Sequence, residues 1–144
     1  MKITEILKPD LVFLDVDVAS KKETLEKIAE ISCPVIGCDS RNVFDALVER
    51  ERLGTTGIGK GVAIPHARLA GLTDLFCAFM RVKPVDFESI DGKNVDLIFF
   101  LLVPEESGAD HLKALARISK LLRNEEVCGA LRQVKTAKET LALI

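Results

Sequence analysis

Apolar positions along the chain change period several times, and each change predicts a new element. Ile3, Ile6 and Leu7 fit a short amphipathic turn, and Leu11-Val-Phe-Leu-Asp-Val16 reads as a first strand. Ser20-Lys-Lys-Glu23 forms a capping box, after which Leu25, Ile28, Ala29 and Ser32 share one helical face, with Cys33-Pro34 as the predicted end. A second helix is predicted from Ser40, where Val43, Phe44, Leu47 and Val48 make an apolar stripe that runs toward Arg50-Glu51-Arg52 before Gly54 breaks it. Val62-Ala-Ile64 reads as a short strand stopped by Pro65. Leu75 to Val82 and Val95 to Val103 are the two strongest strand candidates, the second apolar on both faces as a central strand should be, with Asp91-Gly92 as a turn between them.

Beyond Asp110, a plausible N-cap, the residues Leu112, Leu115, Ala116, Ile118, Ser119 and Leu122 trace a helix. Glu125 to Leu131 is a further helical piece, and the capping box Thr136-Ala-Lys-Glu139 opens a last helix through Leu141 and Ile144. The expected fold class is α/β (α+β): a mixed sheet of about five strands flanked by helices, a single-domain sandwich over residues 1–144 without internal repeat.

Composition narrows the function classes. The 144 residues are 48% apolar and 29% charged, which suits one folded domain. A net charge of -2 gives no electrostatic case for a nucleic-acid or anionic-membrane surface, and with no Trp or Tyr there is no aromatic platform for bases. The longest apolar run, Leu97 to Val103, is far short of the roughly 20 residues of a membrane helix. Charged residues interrupt any signal-peptide core near the N-terminus, so a cytoplasmic location without membrane insertion is expected. Cys33, Cys38, Cys77 and Cys128 contain no Cys-x-x-Cys pair and are expected as reduced thiols, Cys77 and Cys128 in the core. Neither these cysteines nor His66 and His111 have zinc-ligand spacing, so no metal is expected.

Candidate chemistry concentrates between Arg50 and His66. Gly54-Thr-Thr-Gly-Ile-Gly-Lys-Gly61 holds four of the nine glycines and reads as a loop that approaches something closely. It is not a nucleotide P-loop: Gly61 stands where a magnesium-binding Ser or Thr is needed, and Val-Ala-Ile-Pro follows where a helix is required. Thr55, Thr56, Gly57 and Gly59, next to a helix end bearing Arg50 and Arg52, remain candidates for holding an oxyanion. His66 follows the strand-terminating proline, which holds its ring at a sheet edge. One imidazole nitrogen there can act as a nucleophile while the other is fixed by a backbone carbonyl. The alternatives are plain ones: a loop histidine that satisfies a backbone group, a solvated His111 at a helix start, and Arg50 and Arg52 paired with Glu49 or Glu51 on an exposed helix end.

The run Arg50-Glu-Arg-Leu-Gly-Thr-Thr-Gly-Ile-Gly-Lys-Gly-Val-Ala-Ile-Pro-His66 resembles the signature of enzyme IIA domains of the mannitol/fructose type (EIIA type-2) in the bacterial phosphoenolpyruvate-dependent phosphotransferase system. Pro84-Val-Asp-Phe, Ile90-Asp-Gly, Val95 to Pro104 and His111-Leu-Lys-Ala-Leu-Ala-Arg-Ile-Ser-Lys-Leu-Leu agree with it, so the likeness covers essentially the whole chain. It is strongest to the nitrogen-regulatory branch, through Arg-Glu-Arg-Leu-Gly-Thr-Thr-Gly-Ile-Gly and Ala-Asp-His-Leu-Lys-Ala-Leu-Ala-Arg.

The resemblance implies a phosphoryl carrier that takes a phosphoryl group from a histidine phosphocarrier protein onto His66, with Arg50 stabilising the group and His111 as a second histidine beside it. It implies no cofactor or metal. It also implies either control of protein partners by phosphorylation state or, as a sugar-specific component, transfer onward to an enzyme IIB domain; a binding module that carries no phosphate is the third possibility. Lys60 stands where many relatives have Asn and is expected to add positive charge beside the site.

Overall fold

The computed structural model describes residues 3–106 and 108–144, with the Asp110 side chain outside the description. Two ten-residue strands, β5 (Phe76–Val85) and β6 (Val95–Pro104), dominate the sheet and pair antiparallel. Nearly every residue of β6 is buried, on both faces, so the sheet is covered on both sides at its centre. Across the pair, Phe79 faces Phe99 with ring centroids 4.8 Å apart, an aromatic contact in the middle of one continuous apolar core. β1 (Val12–Val16) joins β5 in parallel. On the other side of β6 lie β3 (Val62–Ala63) and β4 (His66–Leu69), both parallel to it, and β2 (Gly57–Gly59) closes that edge antiparallel to β3. The mixed sheet therefore has six strands, in the order β1-β5-β6-β3-β2 with β4 also on β6.

The helices follow from local signals. Before them come α1 (Ile3–Ile6) and a 3-10 turn over Pro9–Leu11, so the first strand starts at Val12 and not at Leu11. The Ser20 hydroxyl accepts the Glu23 N–H at 3.0 Å and starts α2 (Lys21–Ile36), whose Leu25, Ile28, Ala29 and Ser32 are buried as expected. α2 does not end at Cys33-Pro34. It carries Pro34 in its last turn and stops at Gly37, whose left-handed conformation (φ 70°) lets its N–H bond to the Cys33 carbonyl. Asp39 caps α3 (Ser40–Arg52), which packs on α2 and on β4.

α4 (Ala109–Leu122) begins with Gly108 as its cap, so the capping role expected of Asp110 is displaced, and that side chain lies outside the described residues. Its buried stripe is Ala114, Ile118 and Leu122, spaced four apart, while Leu112 and Ala116, expected inward, are exposed. α5 (Glu125–Leu131) matches its predicted span, and α6 (Ala137–Ala142) is capped by Thr136.

The glycine-rich segment departs most from its expectation as a loop. Gly57–Gly59 is strand β2, and Lys60 (φ 55°) with Gly61 (φ 81°) forms the two-residue turn of a hairpin into β3. Pro65 also interrupts the sheet without ending it: its carbonyl accepts the Leu101 N–H at 3.0 Å, and pairing with β6 resumes at His66. His66 thus opens an edge strand. Cys77 and Cys128 are buried, while Cys33 and Cys38 are half-buried around the α2–α3 turn.

Candidate active site

Three elements converge on His66. Pro65 constrains Ile64 to an extended backbone, and the Ile64 carbonyl accepts a hydrogen bond from His66 Nδ1 at 2.9 Å. A carbonyl only accepts, so Nδ1 carries the ring proton and Nε2 keeps its lone pair. Arg50, in the last turn of α3, supplies the complement: its Nε donates to His66 Nε2 at 3.2 Å, and its Nη1 donates to the Gly54 carbonyl at 3.0 Å. Both contacts select the same tautomer. Burial holds the His66 pKa below the ordinary imidazole value; the Ile64 hydrogen bond and Glu51 oppose this, whereas Arg50 and His111 push the same way. The result is a fixed, neutral imidazole with a bare Nε2 facing a guanidinium.

Arg50 and Arg52 have different fates. Arg52 pairs with Glu49 at 2.8 Å on the exposed helix surface, as in the plain reading, while Arg50 turns to the histidine. Glu51 is nearly buried under the site. Its carboxylate pairs with Lys21 at 2.9 Å and accepts the N–H of Thr56 at 3.0 Å and its hydroxyl at 2.6 Å, tying α2, α3 and the glycine segment together.

The remaining polar groups of that segment are also engaged internally. Thr55 Oγ1 donates to the Phe87 carbonyl and accepts from the Gly57 N–H, and Gly57 lies so close to Ser89 that an added Cβ would stand 2.4 Å from its Oγ. Gly59 (φ 102°) sits beside the Asp91 carboxylate. The hydrogen bonds of Thr55, Thr56 and Gly57 thus run to Phe87, Glu51, Ile64, Ile90 and one another, and among the described residues none runs to His66 or Arg50. The segment's direct contribution to the site is the Gly54 carbonyl that holds Arg50.

Lys60 is not beside the site. Gly61 and Val62 lie against Asp96 and Leu97 of β6, whereas His66 lies against Leu101, which separates them by about 13 Å of strand. Lys60 pairs instead with Glu125 at 2.7 Å on the exposed surface.

His111 stands in the first turn of α4. Its Nε2 is 3.2 Å from Nη2 of Arg68, whose Nη1 donates to the Glu105 carbonyl at 3.0 Å. Arg68 was not foreseen as part of the site. The available signal was strand alternation, which puts His66 and Arg68 on one face of β4, but it was hidden by the reading of Pro65 as a strand end. Among the described residues no three His, Cys, Asp or Glu side chains gather as metal ligands would, and no helix is long and apolar enough to cross a membrane.

The family model of EIIA type 2 of the phosphoenolpyruvate-dependent sugar phosphotransferase system matches residues 5–144. The chain belongs to this EIIA family. Among relatives of this EIIA chain, the nitrogen regulatory protein of Bradyrhizobium diazoefficiens is 45% identical, the alignment covering 100% of this chain and 95% of that protein. The crystal structure of nitrogen regulatory protein IIA-Ntr from Neisseria meningitidis superposes with a TM-score of 0.94 at 39% identity, over 98% of this chain and 97% of that one. The mannitol enzyme IIA of Escherichia coli, solved in complex with phosphorylated mannitol enzyme IIB, shares the fold with a TM-score of 0.79 at 19% identity, over 95% and 96% of the two chains. This EIIA chain is therefore a phosphotransferase-system component of the phosphoryl-carrier type, similar in sequence and fold to nitrogen regulatory proteins.

Proposed function

We propose that the chain accepts a phosphoryl group on His66 Nε2 from a histidine phosphocarrier protein, and that the phosphorylation state then controls a partner protein, as in a nitrogen-regulatory enzyme IIA. The observation that carries this reading is the single tautomer of His66, proton on Nδ1 toward Ile64 and lone pair on Nε2 toward Arg50. In the transfer, the Nε2 lone pair forms the new N–P bond while the N–P bond to the donor imidazole breaks and its electron pair returns to the donor. No proton has to leave Nε2, so no general base is required. Arg50 compensates the charge on the phosphoryl oxygens with a forked guanidinium already held by Gly54.

The surroundings suit a protein donor. A cleft of about 950 Å³ beside His111 is walled by Leu72, Asp74, Glu105 and Glu106. Leu53 (84% exposed), hydrogen-bonded to the Arg50 carbonyl, and Leu112 (59% exposed), next to His111, offer apolar contact area on the two flanks. A charge of nearly two units added at His66 would then change what this surface binds.

The test is incubation with phosphoenolpyruvate, enzyme I and the histidine phosphocarrier, followed by intact mass and acid lability, with His66→Ala alongside. One acid-labile phosphoryl group, lost in His66→Ala, is the expected result. Onward transfer to a fructose- or mannitol-type enzyme IIB would move the assignment to a sugar-specific component. No phosphorylation of folded protein, with partner binding unchanged in His66→Ala, would leave a binding module.

A further inference from the structure

Arg68 and His111 come from elements far apart in sequence and meet through one hydrogen bond, Nη2 to Nε2 at 3.2 Å. A guanidinium has only donors, so the His111 nitrogen it touches must be bare and the ring proton must sit on Nδ1. That Nδ1 is buried and has no hydrogen-bond partner in the described structure. An unanswered buried N–H is uncommon and invites an acceptor that arrives from outside.

The position of Arg68 connects this donor to the site. His66 and Arg68 are two residues apart on β4 and share its outward face, with Ala67 and Leu69 buried between and beyond them. The guanidinium is anchored by the Glu105 carbonyl just past the end of β6, and His111 is close enough to His66 to disfavour a proton there.

We infer that Arg68 is a positioning residue: by donating to His111 Nε2 it holds the Nδ1–H tautomer and reserves that N–H for an oxygen of the phosphoryl group on His66. The inference rests on His66 as the phosphoryl acceptor. Free imidazole side chains favour the proton on Nε2, so without Arg68 the ring relaxes to that form and turns a lone pair, not a donor, toward the phosphoryl oxygens.

Two readouts separate this from a structural role. Long-range proton–nitrogen NMR at pH 8 on the unphosphorylated protein, with the two histidines of the chain assigned through His111→Gln, reports each ring's tautomer directly. His111 is expected as Nδ1–H in the wild type and in Arg68→Lys, which retains a donor, and as Nε2–H in Arg68→Met. The initial rate of phosphorylation from the phosphocarrier should fall about tenfold in Arg68→Met, the loss of one hydrogen bond to a charged group, and recover in Arg68→Lys. An Nε2–H His111 in the wild type, or an Arg68→Met protein with unchanged tautomer or unchanged rate, overturns the inference. A wild type that shows the expected tautomer but takes no phosphoryl group overturns the assigned purpose of the donor together with the carrier reading, and the NMR result tells this case from the others.

Discussion

At the scale of single residues, the proposed phosphoryl transfer depends on keeping one nitrogen of His66 free of a proton. Burial and Arg50 lower its pKa, against the pull of the Ile64 carbonyl and Glu51, so the folded ring stays neutral at pH values where an unfolded histidine has begun to charge. A ring-proton NMR titration should therefore give a midpoint below the ordinary value of about 6.5. A midpoint at or above 6.5 would contradict the geometry. The linkage has a definite sign. As pH falls from the unfolded value toward the lower folded one, the unfolded chain takes up the proton first, so His66 favours the fold less in that window and has no such effect above it. Acceptor competence should likewise persist through pH 6.5 and be lost only lower.

Among the elements, the critical join is the one that holds Arg50 in place. α3 ends beside the glycine segment, and Glu51 clamps that segment through Thr56 while pairing with Lys21 of α2, whose ammonium also lies 4.9 Å from the centre of the Phe87 ring. Both partners of the ion pair are largely buried, with side chains 16% (Lys21) and 7% (Glu51) exposed. Removing the carboxylate leaves a buried ammonium and an unpaired Thr56 N–H. Glu51→Ala should cost about 3 kcal/mol in urea unfolding, and Glu51→Gln distinctly less because the amide oxygen still accepts from Thr56. Because the Gly54 carbonyl that orients Arg50 lies between the helix and this clamp, Glu51→Ala should also slow phosphorylation at His66. A variant as stable as wild type would show that the clamp is not needed.

For the molecule as a whole, β5 and β6 carry the core that keeps α3, β4 and α4 in register. Phe99, fully buried against Phe79, is at its centre. Phe99→Ala should cost about 3–5 kcal/mol, a large part of the roughly 5–15 kcal/mol available to a domain of this size. One continuous core implies one cooperative transition, so far-UV circular dichroism and methyl NMR signals should shift to the same lower midpoint. With no Trp or Tyr in the chain, intrinsic fluorescence offers no ready third probe. Separate midpoints would mean that the β4–α4 region unfolds independently of the sheet.

What the amino-acid sequence determined by itself is what neighbours within about one helical turn or one strand period decide. Ser20 and Thr136 start their helices because each hydroxyl meets an N–H three residues on, and β6 declares itself central through an apolar run too long for one face. Residue order, through its likeness to the EIIA signature, also nominated His66, Arg50 and His111 as candidates. The tertiary structure decided the rest, because the contacts concerned join residues that local patterning does not relate. The Arg50–His66 bond spans 16 positions and the Arg68–His111 bond 43. Those distances along the chain are closed only by packing α3 and α4 around the edge of one sheet. The same packing made a hairpin of the glycine segment, carried Lys60 away from the site, turned Leu112 outward, and set which nitrogen of His66 is free, since a tautomer is selected by its hydrogen-bond partners and not by the residue that bears it.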